Sequence, residues 1–226
     1  PYGRKTFNKK YNKKRVYRRR KPYKSRAKKT TIIRFGTHFP DRLKAIFKWS
    51  TTGTLTDAIK ETQQLRPNSI YDPGSSVFST QPPMRDILAL AYGQYIVYKW
   101  GWHITFINNS TTENCIVSVN NSNESDAVPN DYTLYIAQKD VQYKLCNANI
   151  AGSHTAMIKG STTLQKVTGR RALDADYNSN YDTNPSATYM NITSHNLDGG
   201  DAQNMRYVLT LYQYVASFNR LQLLDS

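Results

Sequence analysis

Hydrophobic and polar positions alternate along most of residues 43–218, and the alternation predicts strands more often than helices. In 43–50, Leu43, Ala45, Phe47 and Trp49 share one parity while Lys44 and Lys48 occupy the other, the period of two of a half-buried strand. The longest run is 92–107, QYIVYKWGWHITFI with its flanks, in which Gly101 predicts a bulge or sharp bend. Further strands are expected at 115–119, 132–137 and 187–193, with weaker ones at 141–145 and 157–167. In the last run, 205–218, Tyr207, Leu209 and Leu211 alternate with Val208, Thr210 and Tyr212. Both of its faces are largely apolar or aromatic, which predicts a strand covered on both sides or used in an interface.

The period changes once. Across 54–65, Leu55, Ala58, Ile59 and Leu65 keep roughly helical spacing, Thr54 and Asp57 suit a capping box, and Arg66-Pro67 would end the helix. Pro67, Asp72-Pro73-Gly74 and Pro82-Pro83 make 66–83 a loop; 120–130 and 173–186 read as loops and 197–201 as a turn. Strong helical stretches are few, and Tyr, Thr, Asn and Ser are abundant. About eight strands, long connections and one short helix in a loop predict an all-β fold. The expected form is an eight-stranded jelly roll of two packed antiparallel sheets, spanning 35–226.

Residues 1–34 show no such pattern and change the picture. They hold 16 of the chain's 31 Lys and Arg and none of its 16 Asp and Glu. The remainder therefore has 15 basic and 16 acidic residues, a net charge of −1, and the arm carries the whole +15 excess. Sixteen like charges with few aliphatic side chains cannot build a core, so a polyanion is the natural partner. The expected nucleic-acid contacts are Arg4, Lys5, Lys9, Lys10, Lys13, Lys14, Arg15, Arg18, Arg19, Arg20, Lys21, Lys24, Arg26, Lys28 and Lys29, with Tyr11, Tyr17 and Tyr23 between them. Tyr2 and Phe7 extend the aromatic series, whose rings stack on unpaired bases without reading sequence. That interleaving favours a single strand.

Arg18, Arg19, Arg20, Lys21, Lys24, Arg26, Lys28 and Lys29 also read as a nuclear-import signal. An anionic membrane is the poorer partner, because the arm lacks the apolar face of an interfacial helix. No signal peptide opens the chain and no apolar run approaches a membrane span, so neither secretion through a signal nor membrane insertion is expected. Cys115 and Cys146 form no CxxC and read as free thiols in a reducing compartment, a disulfide being open but unsupported. The Asn-x-Ser/Thr triplets at Asn108, Asn109, Asn120, Asn123 and Asn191 are read as polar loop chemistry.

Catalytic patterns are missing from the sequence. There is no phosphate-binding glycine loop, and His38, His103, His154 and His195 keep no metal-ligand spacing. Asp174-x-Asp176-x-Asn178 begins like a calcium loop, but Ser179 stands where Gly is needed and Pro185 where a bidentate Glu belongs. A polar loop is the better account, with a loose cation site at an assembled interface as the alternative. Gly169-Arg170-Arg171 is a second small basic spot. No cofactor is expected, and no enzyme activity.

The basic arm, the near-neutral β body and two strands together resemble the capsid proteins of circoviruses and related circular single-stranded DNA viruses. The strands are AYGQYIVYKWGWHITF at 91–106 and MRYVLTLYQYVASFNRLQL at 205–223, the latter closing on the aromatic-Asn pair Phe218-Asn219. The arm departs from that family in being rich in Lys and Tyr rather than uniformly Arg. The resemblance implies a virion protein that assembles with copies of itself, roughly sixty in a closed icosahedral shell, around circular single-stranded DNA. RNA is the expected substitute in recombinant particles. Entry into the host nucleus through the arm implies an import receptor, and infection an attachment receptor. Sixty such arms would supply roughly a thousand positive charges toward a small genome's phosphates. Two other classes stay open: a non-viral nucleic-acid-binding protein with a basic extension, such as a ribosomal or chaperone-like factor, and a β-sandwich enzyme.

Overall fold

The computed structural model describes residues 40–75, 80–125, 128–170, 175–198 and 203–221. All of them belong to one compact unit, Phe39–Ser226. In chain order the elements are β1 (Leu43–Leu55), β2 (Lys60–Leu65), α1 (Arg85–Ala89), β3 (Tyr92–Asn108), β4 (Cys115–Ser122) and α2 (Tyr132–Ile136). There follow β5 (Gln142–Cys146), β6 (Thr155–Thr163), α3 (Leu164–Thr168), the two-residue β7 (Ser179–Asn180), β8 (Tyr189–Asn196) and β9 (Met205–Arg220).

Two antiparallel sheets hold these strands, one ordered β1-β9-β3-β6 with β7 on β3, the other β2-β8-β4-β5. The pairing is nested: β1 with β9, β2 with β8, β3 with β6, and β4 with β5. Such nesting is that of a long antiparallel ribbon rolled into a sandwich, the jelly roll. Alternation supplies the core. Phe47 and Trp49 of β1, Trp100, Trp102, Ile104 and Phe106 of β3, and Tyr207, Leu209 and Leu211 of β9 turn inward. They meet Val117 and Val119 of β4 and Met190 and Ile192 of β8 from the facing sheet. In β1 the expected parity holds, with Lys44 and Lys48 exposed.

Several expectations are corrected. The helix expected at 54–65 is a strand end, a turn and a second strand. Its apolar residues do not form a stripe: Leu55 and Leu65 are buried from opposite sheets, while Ile59 stays 59% exposed. The turn is made by Glu61, whose carboxylate accepts from the Thr56 and Asp57 amides, and by Asp57 Oδ1, which accepts from Ile59 N–H at 3.0 Å. The strand expected at 132–137 is instead α2. Asp131 caps it by accepting from Thr133 N–H at 2.8 Å, and within the helix only Tyr135 is buried. The weak strand at 157–167 splits into β6 and α3, where Thr163 Oγ1 accepts from Lys166 N–H and Gly169 closes the helix at φ 72°.

Gly101 carries no bulge. It stays in register with Tyr212 and Ser161, and the slip falls between Val97 and Lys99. In β9 the odd-numbered residues from Met205 to Ser217 are buried, whereas Val208 and Tyr212 are 45% and 36% exposed, so of the two expectations for this strand the chain does not itself cover both faces and the interface alternative stands. Gln213 lies on the core face and donates to Pro67 O at 2.8 Å and Ser69 O at 2.6 Å, tying the 66–73 loop to the sandwich. The Asn-x-Ser/Thr positions are not all loop chemistry. Asn108, Asn120 and Asn191 lie on strands, and the buried Asn108 amide donates to Glu113 O at 2.8 Å.

Candidate nucleic-acid interface

Every expected contact from Arg4 to Lys29, and with them the import signal, lies outside the described residues. What the structure adds is a second basic surface, on the body. Among the described residues, the strands β1, β3, β6 and β9 contain no Asp or Glu, and the only acid on any strand is Glu61 of β2. Even-numbered residues of β1 and β9 point away from the core. The body is close to neutral in sum, and among the described residues every acid except Glu61 lies off the strands.

Register places the cations in rows across this outer face. Lys48 stands opposite Tyr212, which in turn faces Gly101 of β3. Beside that row, Ser50, Thr210, His103 and Lys159 align across four strands, and Thr54, Arg206 and Ile107 align near the far end. Gly101 leaves the Tyr212 ring uncovered on that side, since it has no side chain of its own. A Cβ there would lie 3.3 Å from the Gly160 carbonyl, so the position also permits close strand approach.

The bulge at Tyr98 builds the most concentrated part of the face. On the N-terminal side of it, Tyr95 and Val97 pair with the inward Ser217 and Val215; beyond it, Lys99 pairs with the outward Tyr214. Tyr98 is the extra residue and shares the outer face with its neighbour Lys99, which a regular strand forbids. The consequence is a chain of cations and rings. Lys44 Nζ lies 5.9 Å from the Tyr98 centroid, Tyr98 and Tyr214 are 6.5 Å apart, and Lys99 Nζ lies 5.1 Å from the Tyr214 centroid. The exposed Lys44 and the half-buried Tyr98, Lys99 and Tyr214 on one sheet face suit a single-stranded polynucleotide, phosphates to the cations and bases to the rings.

Other candidates do not assemble into a site. Asp174 and Arg171 lie outside the described residues; Asp176 is paired with Arg170 at 2.5 Å, so its charge is already met. Among the described residues no group of three or more His, Cys, Asp or Glu is placed to hold a metal ion. Cys115 and Cys146 face each other across β4 and β5, buried and free, and burial pushes their thiols up to about 12 and about 11. His195 is buried with Nε2 2.9 Å from Pro129 O, and desolvation holds its pKa below the ordinary histidine value. Among the described residues no helix is long and apolar enough to cross a membrane.

Sequence reasoning pointed to the arm, which lies outside the described residues, and did not single out this face. A usable signal was present: four strand-like runs free of acid in a body with 16 acidic residues. The inward or outward sense of Tyr98 and Lys99 was not readable, because the bulge decides it.

No protein-family model matches the chain, and no curated protein matches it. Among solved structures it is similar to turnip yellow mosaic virus, with 12% identity and a TM-score of 0.45 over 82% of this chain and 86% of that one. It is similar to desmodium yellow mottle tymovirus, with 8% identity and a TM-score of 0.44 over 84% and 95%. It is also similar to a semi-empty particle of the nodavirus of the prawn Macrobrachium rosenbergii, with 11% identity and a TM-score of 0.40 over 82% and 97%.

Proposed function

We propose that this chain is a viral coat protein that assembles with copies of itself and packages single-stranded nucleic acid, using its basic arm and the outer face of the β1-β9-β3-β6 sheet. The observation that carries the reading is the joining of a nested jelly roll to an arm of 16 cations and no acid. The roll also has apolar surface to spare. On and beside α1, Met84, Ile87 and Leu90 are 64%, 60% and 72% exposed at spacings of three, a stripe that a second copy would cover. The resemblance of 91–106 and 205–223 to circovirus capsid strands supports single-stranded circular DNA as the cargo, with import to the nucleus through 18–29 and residence in the virion. The test is electron microscopy of the purified full chain with and without single-stranded DNA. Closed particles are expected; protein that stays monomeric at every salt and nucleic-acid concentration would sink the proposal.

A second reading is a non-viral nucleic-acid-binding protein with a basic extension. The acid-free sheet face favours it, since such proteins carry basic surface on the body as well as the extension. Removing residues 1–34 separates the two. A coat protein's body retains the capacity to associate, whereas a simple binder has no association to retain.

A further inference from the structure

At one end of the outer sheet face, the bulge opens a pocket of about 440 Å³ bounded by Arg42, Lys44, Tyr98, Asn178 and Phe218, with Ala216 as its floor. Four separate parts of the chain meet there: the start of β1, the bulge of β3, the end of β9, and the 175–178 segment ahead of β7. The volume is that of a small-molecule site rather than a subunit groove. Its chemistry is mixed in a particular way. Tyr98 and Phe218 supply aromatic surface, Arg42 and Lys44 are exposed cations at the mouth, and Asn178 presents a buried Oδ1 that accepts no hydrogen bond. A buried carboxamide oxygen without a donor is costly to keep, so a ligand N–H is the natural complement.

We infer that this pocket receives one nucleotide of a single-stranded polynucleotide, its base against Tyr98 and Phe218, its phosphate toward Arg42 and Lys44, and a base amino or imino N–H toward Asn178 Oδ1. The inference rests on the packaging reading above and sharpens it. Packaging through the arm alone would be indifferent to base and position, whereas the pocket gives the strand a fixed point on the body. The face supplies the path from it, since Lys99 and Lys48 stand one and two rows along from Lys44. Charge complementarity selects the occupant. A phosphodiester strand leaving the pocket meets Lys44, Lys99 and Lys48 on three successive rows, and β1, β3, β6 and β9 offer no acid to repel it. Purely apolar cargo would leave Arg42, Lys44 and Asn178 Oδ1 unmatched.

The test uses the full chain and an eight-nucleotide thymidine strand carrying one 5-iododeoxyuridine, irradiated at long wavelength and mapped by peptide mass spectrometry. Crosslinks are expected at Tyr98 or Phe218 as well as in the arm. Lys44→Glu and the near-isosteric Asn178→Asp should each lower the pocket crosslink at least fivefold and leave the arm crosslinks in place. Unchanged circular dichroism of both variants shows that the fold survives. Crosslinks confined to the arm, or a pocket crosslink insensitive to both substitutions, overturn the inference and leave the packaging reading standing. A pocket that crosslinks only to a neighbouring subunit makes it a subunit contact and likewise overturns it. No crosslink anywhere on the chain overturns the nucleic-acid reading itself.

Discussion

Trp102 lies directly across from Gly160 in the β3–β6 register, and a Cβ on Gly160 would sit 2.4 Å from the indole Cζ2. The same device recurs between β1 and β9, where Tyr207 faces Gly53 and a Cβ would come 2.5 Å from the phenol ring. In both pairs a large ring lies over the neighbouring strand's backbone, and only glycine leaves room for it. The rings are anchored in the core, so the clash cannot be relieved by swinging a free side chain away.

Gly160→Ala should therefore destabilise the fold by ~2 kcal/mol, the cost of overpacking exceeding the small entropic gain of removing a glycine. Thermal unfolding followed by circular dichroism should show a midpoint lower by about 4–8 °C for a domain of this size. A midpoint at or above that of the parent protein would show that Trp102 repacks freely.

Gln213→Leu tests the tie between β9 and the 66–73 loop. The substitution keeps the volume roughly but leaves the Pro67 and Ser69 carbonyls without their buried donor. About 2–4 kcal/mol should be lost, from one to two unsatisfied carbonyls. Urea unfolding measures it, and loss of less than about 1 kcal/mol would mean that water reaches those carbonyls.

The two buried thiols should be inert in the folded protein. With pKa values of about 12 and about 11, Cys115 and Cys146 hold far less thiolate at pH 8 than an open cysteine does. Reaction with iodoacetamide should be at least ~100-fold slower than in denaturant, where both become ordinary thiols. Two equivalents of rapid labelling under native conditions would contradict the burial of this strand pair.

His195 makes stability sensitive to mild acid. Burial disfavours its charged form, the Pro129 carbonyl opposes this less strongly, Lys60 adds repulsion and Asp131 opposes it least; the Tyr135 ring packs beside it. The net effect is a folded pKa below the unfolded value of 6.5, so the unfolded chain binds the proton first. The contribution is fully present above pH 6.5 and is lost as the pH falls through 6.5 toward the folded value. The midpoint of thermal unfolding should decline over that interval, and His195→Gln should flatten the decline. An unchanged slope in the variant would assign it to other groups.

Binding through the arm should be strongly salt-dependent and nearly independent of sequence, because it rests on counterion release. Replacing Tyr11, Tyr17 and Tyr23 together with Ala should weaken single-strand binding by about tenfold or more, and duplex binding much less. Fluorescence anisotropy against both substrates decides it. Equal losses would remove the stacking argument.

Local readings of the chain succeeded where one cause dominated. The parity of β1 is legible because Phe47 and Trp49 cannot be left in water while Lys44 and Lys48 cannot be buried. Segments with weak local preference were misread. In 54–65 a chance helical spacing outweighed a turn that only the Glu61 carboxylate completes, and in 132–137 the Asp131 cap was overlooked beside β-forming tyrosines. The tie of Gln213 to the 66–73 loop had no local signature at all, since its partners are more than 140 positions away.

By itself the sequence determined where the charge lies, a basic N-terminal stretch ahead of a near-neutral, strand-rich remainder. Charge, alternation and composition are local properties that need no partner to be read. Tertiary structure decided the rest. Pairing β9 with both β1 and β3 gathers residues from distant parts of the chain onto one face, and a single extra residue at Tyr98 sets which way the next side chains point. Register has a period of two, so one inserted residue inverts every side chain after it. That inversion joins Lys44, Tyr98, Lys99 and Tyr214 into a surface that no local pattern along the chain specifies.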